Sequence, residues 1–297
     1  MSRSTALLCL LLATAIWGFA FIAQKSAMEF MGPLTFMAAR YLLGGLVILP
    51  LALRENARRP EPLTRRQWAL IGFLSVNFFM GSWLQHAGLL FTTVTNGGFL
   101  TGLYVFFVPL ILLLIFRTPP HRIIWMAVPF ALLGLFLLNG ASLDGSNQGD
   151  MLVIGSAVFW ALHVLMLGFL ARETGRPVFI SSVSFIAAGL ISTTGAFAFE
   201  APALGAISLG WIEILYAGLL STAIGFTLQA IGQQHVPPAN AAIILSAESL
   251  FAALGGAWLL GERLPAEGYI GAALIFAAIV LVEVIPALRN RKSTAPG

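Results

Sequence analysis

The chain has 297 residues, of which 59% are hydrophobic and only 9% charged, against about 25% charged in soluble domains. That much apolar surface cannot be hidden in one aqueous core, so a soluble globular protein is excluded and an integral membrane protein is indicated. The net charge of +4 would suit a nucleic-acid partner only if the basic residues shared one face. They fall between apolar runs instead, so the expected partners are the lipid bilayer and a small molecule.

Apolar runs of about 18–23 residues match the length a helix needs to cross a bilayer core of ~30 Å. Taken in chain order they predict an all-α polytopic protein with spans over 5–23, 33–53, 67–86, 93–116, 120–139, 149–171, 178–199, 209–232, 238–260 and 266–287. The first run, with Arg3 before it and Ala13-Thr14-Ala15 within it, has features of a signal peptide. It continues without a break through Trp17-Gly18-Phe19, so a retained helix is expected. Cys9, the only cysteine, permits neither an internal disulfide nor a cysteine metal site.

The connecting segments alternate in charge. Those on the N-terminal side carry Arg3, then Arg54, Arg58, Arg59, Arg65 and Arg66, then Arg117 and Arg122, then Arg172 and Arg176, and finally Arg289, Arg291 and Lys292. The opposite set holds only Lys25 and Arg263. Cytoplasmic loops are enriched in Lys and Arg, so both termini are expected in the cytoplasm and the number of spans is even.

The two halves match each other. Ala15-Ile16-Trp17 corresponds to Val158-Phe159-Trp160, Gln67-Trp68 to Gly210-Trp211, and Asn96 to Asn240. Asn77, Gly81, Gln85 and Gly88 correspond to Ser221, Gly225, Gln229 and Gly232, with the offset larger by one residue. Their spacing of four, four and three puts each set on one helical face. The glycines suit close helix packing, while Asn77, Gln85 and Gln229 suit either a water-lined pathway or interhelical hydrogen bonds. Repeats over 5–139 and 149–287, with five spans each, must cross the membrane in opposite senses. Such inverted repeats are typical of secondary transporters.

Glu248 lies near the middle of the ninth span, where an ionisable group is costly and usually functional. In register it faces Tyr104 of the first copy, so it breaks the repeat symmetry. Its alternatives are a buried pair or a neutral carboxyl bonded to a neighbouring helix. His163 shares a face with Trp160; Arg40 sits about two turns inside the second helix, where it could bind a substrate carboxylate, reach the interface or pair with an acid; Glu283 is expected near the headgroups. Pro109 in the fourth span and Pro129 in the fifth each remove a backbone hydrogen bond and permit a bend, so they are candidate hinges, whereas Pro237-Pro238 starts the ninth helix.

The stretches Leu259-Leu260-Gly261-Glu262-Arg263-Leu264-Pro265 and Tyr269-Ile270-Gly271-Ala272-Ala273-Leu274-Ile275, with Ala15-Ile16-Trp17-Gly18-Phe19-Ala20-Phe21 and Ala38-Ala39-Arg40-Tyr41, carry a family resemblance. They resemble the EamA-type repeat of the drug/metabolite transporter superfamily over about 5–287. The first copy departs from the pattern, with Arg117-Thr118-Pro119 where the second has Gly261-Glu262-Arg263, so any role for the loop glutamate rests on Glu262 alone. The resemblance implies ten helices around a central cavity and export of small metabolites, amino acids among them, across the bacterial inner membrane.

Independently of the family, Trp17, Phe78, Phe79, Trp83, Tyr104, Phe107, Trp160 and Phe226 lie on helices that the repeat places around the centre. Aromatic faces with a few polar groups suit amphiphilic molecules, although such residues also serve simple packing. The residues expected to bind substrate are Trp17, Asn77, Phe78, Phe79, Trp83, Gln85, Tyr104, Trp160, His163, Gln229, Ser246 and Glu248. Trp68, Trp125, Trp211 and Trp258 read as interface anchors. A catalytic constellation is not evident. Asp144 and Asp150 fall in the connection between repeats, the four histidines lack HExxH spacing, and neither GxSxG nor GxxxxGK[ST] occurs. No cofactor or metal is called for, and the alternatives to an amino-acid exporter are a multidrug or other metabolite exporter and, further off, an intramembrane enzyme.

Overall fold

A computed structural model describes residues 1–141, 147–259, 261, 263 and 266–293, with side chains up to residue 283 in the last stretch. Glu262 and Asp144 lie outside the described residues. Among the described residues there are ten long helices, α1 (Arg3–Ala27), α2 (Pro33–Ala57), α3 (Arg65–Leu89), α4 (Val94–Leu114), α5 (Arg122–Leu138), α6 (Gln148–Thr174), α7 (Pro177–Phe199), α8 (Trp211–Gln233), α9 (Pro238–Leu259) and α10 (Ala266–Ser293), with one short helical turn at Leu204–Leu209. No strand occurs among the described residues. Eight of these helices are long and apolar enough to cross a membrane by length and composition. Of the other two, α5 is 17 residues long, and α3 is diluted by the buried polar stripe Ser75, Asn77, Ser82, Gln85 and His86.

Local chemistry sets the helix ends. Thr64 with Gln67 and Asn147 with Asp150 form capping boxes at the starts of α3 and α6, each satisfying backbone donors that the first turn leaves free. Pro33, Pro177 and Pro238 occupy first-turn positions, where the missing N–H costs nothing. α6 ends on Gly175 at φ 64°, the left-handed conformation that glycine adopts without strain.

The packing follows the internal repeat. α2 lies on α7, α5 on α10, α4 on α9, and α1 on α8 and α9, while α6 packs on α3 and α4. Exchanging α1–α5 with α6–α10 turns this set of neighbours into itself. Two carboxylates make the exchange visible in atomic detail. Glu200, at the end of α7, accepts from the backbone N–H groups of Leu34 and Thr35 at 2.8 Å each, in the first turn of α2. Glu55, near the end of α2, accepts from the Phe179 N–H at 2.8 Å in the first turn of α7. Each helix of the antiparallel pair thus ends in an anion at the positive end of the other. A side chain at Gly32 would run into the Glu200 carboxylate, which is why α2 begins after a glycine.

In lipid, helices associate through close packing of small residues. A Cβ on Gly134 would lie 2.7 Å from the Gly271 carbonyl, so α5 and α10 meet backbone to backbone. The glycines of the repeated polar face also pack: Gly88 against α6 and Gly232 against Leu10 of α1. Large apolar side chains such as Leu46, Phe73, Leu114, Phe197 and Trp258 are exposed on the periphery, as lipid-facing residues should be.

Pro109 and Pro129 lie inside helical segments. α4 is interrupted at Leu103, between Val94–Gly102 and Tyr104–Leu114. α9 is interrupted at the matching place, between Pro238–Leu245 and Glu248–Leu259, where there is no proline. The break is therefore a property of the repeat, not of the proline. The Glu283 carboxylate pairs with Arg3 at 3.0 Å and accepts from Asn240 at 3.0 Å, tying α1, α9 and α10 together. The first-copy counterpart of that knot is Asn96, which donates to Asp150 at 2.6 Å and accepts from Asn139 at 3.0 Å. Asp150, expected in the connection, is buried in the first turn of α6.

Candidate functional site

The breaks in α4 and α9 place Tyr104 and Glu248 at the starts of two half-helices, beside a central cavity. Both repeats wall it in matching pairs: Trp17 with Trp160, Gln85 with Gln229, and Tyr104 with Glu248. Discontinuous helices at such a centre free backbone groups and side chains for a ligand.

The aromatic wall is continuous. Phe226 sits 4.5 Å from the Trp17 ring centroid and stacks on Trp160 at 5.8 Å, with an interplanar angle of 18°. Trp17 donates its indole N–H to the Ser221 carbonyl at 3.1 Å. Trp160 donates to Gln85 at 2.7 Å, and Gln85 donates onward to Gln24 at 3.0 Å. The indoles are thereby held at fixed angles around the cavity.

Ser221 belongs to an eleven-residue π-helical stretch in α8, Tyr216–Phe226. π-Helical turns accommodate an extra residue and recur at functional sites. The second copy has one more residue between Trp211 and Ser221 than the first has between Trp68 and Asn77, and this stretch is where it is absorbed.

Arg40 reaches the same cavity and is 2% exposed. It donates to Ser221 Oγ at 2.8 Å and Thr222 Oγ1 at 3.3 Å, and its Nη1 lies 3.2 Å from His86 Nε2. His86 Nδ1 lies 2.6 Å from the Ser82 carbonyl, which only accepts, so Nδ1 carries the proton and Nε2 accepts from Arg40. The guanidinium also lies over the Tyr41 ring, 4.9 Å from its centroid. None of these partners is an anion. Among the described residues the ion pairs are Arg3 with Glu283 and Arg66 with Glu173.

Glu248 is 5% exposed and likewise lacks a cationic partner among the described residues. The Tyr104 hydroxyl faces it closely enough to interact. The pair does not reach hydrogen-bond geometry, and Tyr104 Oη and Glu248 Oε1 are both buried without a hydrogen-bond partner.

Of the residues expected from sequence, Trp17, Gln85, Tyr104, Trp160, Gln229 and Glu248 line the cavity. The others are placed around it. Asn77 donates to the Phe159 carbonyl at 2.8 Å, an α3–α6 link. Phe78 is fully buried between Tyr41, Trp160, Phe185 and Phe226. Phe79 and Trp83 pack half-buried on the core. His163 is buried against Phe78, Trp160 and Phe226, beside Gln229. Ser246 donates locally to the Ile243 carbonyl at 2.7 Å. The wall also includes Phe21, Gln24, Thr101 and His86, which sequence reasoning did not single out. Phe21 and Gln24 were detectable, since with Trp17 they recur at spacings of four and three on one face of α1.

Two matching sets of apolar helices around an internal cavity that both sets wall define a multi-pass membrane protein of the transporter type. The chain belongs to the EamA-like transporter family, whose model matches it twice, over residues 4–140 and 147–284. An uncharacterized transporter of Archaeoglobus fulgidus is 29% identical over 96% of this chain and 87% of its own length. The threonine/homoserine exporter RhtA of Escherichia coli is 29% identical over 52% of each chain. A solved crystal structure superposes with a TM-score of 0.77 at 18% identity, covering 99% of this chain and 100% of that one, and shares the fold.

Proposed function

We propose that the protein exports amino acids, aromatic and other neutral ones, and related small metabolites across the bacterial inner membrane by alternating access. The observation that carries this reading is the cavity at the breaks of α4 and α9, walled by matching residues of both repeats. Its aromatic wall of Trp17, Phe226 and Trp160 suits an apolar side chain, and its amides and hydroxyls suit a polar backbone. An inverted pair of repeats gives two exchangeable conformations, since each repeat can take up the arrangement of the other. The partial likeness to a threonine/homoserine exporter supports the substrate class. The bias of Lys and Arg supports a cytoplasmic location for both termini, and apolar helical spans suit an inner membrane rather than the outer membrane with its β-barrels. We read the chain as a transporter and not an enzyme, in line with its family.

The test is efflux from liposomes that contain the purified protein and are loaded with labelled phenylalanine, threonine or a lipophilic drug cation. Phenylalanine and threonine should leave faster than from empty liposomes, and the cation should not. Efflux of the cation alone would make the protein a multidrug exporter, and efflux of none would overturn the proposal.

A further inference from the structure

We propose that Arg40 and Glu248 are the two poles of a site for the zwitterionic backbone of an α-amino acid. Arg40 takes the carboxylate, and Glu248 with the Tyr104 hydroxyl takes the ammonium. The inference rests on the amino-acid reading above and states which residues would recognise the backbone.

A guanidinium and a carboxyl group held away from water each need partners for their hydrogen-bonding atoms, and proteins normally supply them. This cavity holds one of each, 2% and 5% exposed, and the two do not pair with each other or with any other charge among the described residues. A ligand with one negative and one positive end would satisfy both at once. A plain anion or a plain cation would satisfy one and leave the other orphaned.

Arg40 is built to receive rather than merely to pack. Ser221, Thr222 and His86 occupy three of its N–H donors. A guanidinium has five, so two remain, the number a carboxylate takes in a bidentate contact. Stacking over Tyr41 fixes the plane of the group. At the other pole, Glu248 Oε1 and Tyr104 Oη are buried oxygens with no hydrogen-bond partner, and an ammonium supplies donors for both.

The repeat argues in the same direction. Counting from the matching prolines Pro33 and Pro177, Arg40 corresponds to Ser184, and Glu248 corresponds to Tyr104. Neither charge is needed twice to build the scaffold. Each repeat contributes one pole, which gives a symmetric cavity a direction. The wall of Trp17, Phe226 and Trp160 is then left for the side chain.

Binding to the wild-type protein in detergent, measured by titration calorimetry, tests this with compounds that each lack one charge. Phenylalanine should bind about tenfold or more tightly than phenethylamine, which lacks the carboxylate, and than phenylpyruvate, which lacks the ammonium, as expected when a buried charged group loses its partner. Arg40→Gln should abolish the preference for phenylalanine over phenethylamine, and Glu248→Gln the preference over phenylpyruvate. If the wild-type protein binds all three compounds equally, or if either variant keeps both preferences, the proposal is overturned while the amino-acid reading stands. If phenylalanine and threonine neither bind nor leave liposomes, the functional reading itself fails. The wild-type comparison needs no variant to fold.

Discussion

Adding a single methyl group at Gly18 should move the equilibrium between the two conformations. A Cβ there would sit 2.7 Å from both the Ala252 amide nitrogen and the Glu248 carbonyl oxygen, about 0.7 Å short of ordinary contact at 3.4 Å. These are backbone atoms of α9, and the Phe251 Cβ, fixed to the same backbone, lies closer still, so nothing can swing aside and α9 must retreat from α1. Overpacking of this kind costs ~1–3 kcal/mol. The cost falls only on the conformation in which α1 and α9 touch, so Gly18→Ala should shift the population about 5- to 150-fold toward the other. Gly72→Ala is the control: nothing lies within 4 Å of its Cβ, and Ala in a helix interior should stabilise by ~0.5–1 kcal/mol. The assay is the rate at which an impermeant maleimide labels Thr101→Cys in the cavity, in a Cys9→Ala background. α1 and α9 touch here on the face away from the chain termini, so labelling from that face should accelerate with Gly18→Ala and not with Gly72→Ala. Equal rates in the two variants would refute the claim that this contact gates the cavity.

Other consequences are local. Glu200→Gln removes an anion from the start of α2, and Glu55→Gln does the same to α7; each should lower stability by ~1 kcal/mol, read as a lower Tm in detergent, with the double variant additive. Gln85→Leu removes the acceptor of the Trp160 indole and the donor to Gln24. Leaving those buried groups unsatisfied should cost ~1–3 kcal/mol and weaken phenylalanine binding more than it lowers Tm. Lys25 donates to the Leu89 and Thr92 carbonyls at 2.6 and 3.0 Å, where α3 ends and turns toward α4; Lys25→Met should loosen this turn, seen as faster amide hydrogen exchange there with little change elsewhere.

The fold was legible because hydropathy and repetition are properties of single residues and of fixed spacing. Trp17 and Trp160, or Asn96 and Asn240, can be aligned by eye, and the structure gives them equivalent surroundings. The one-residue slip between Trp211 and Ser221 was visible too, though its outcome as a π-helical stretch was not. The reciprocal caps of Glu55 and Glu200 escaped notice because they join segments far apart in sequence. The hinge expectation followed proline, whereas the breaks at Leu103 and between Leu245 and Glu248 follow the repeat. Arg40 was the hardest to read. Nothing in its neighbourhood of sequence distinguishes a snorkelling arginine from one held by Ser221, Thr222 and His86, which lie on other helices.

Substrate is expected to sit in the cavity that both repeats wall. An experimental structure of the protein with phenylalanine tests that directly. It should show the ligand between Trp17 and Trp160, its carboxylate on Arg40 and its ammonium facing Glu248. A ligand bound elsewhere, or lying in the cavity with neither charge met, would contradict it.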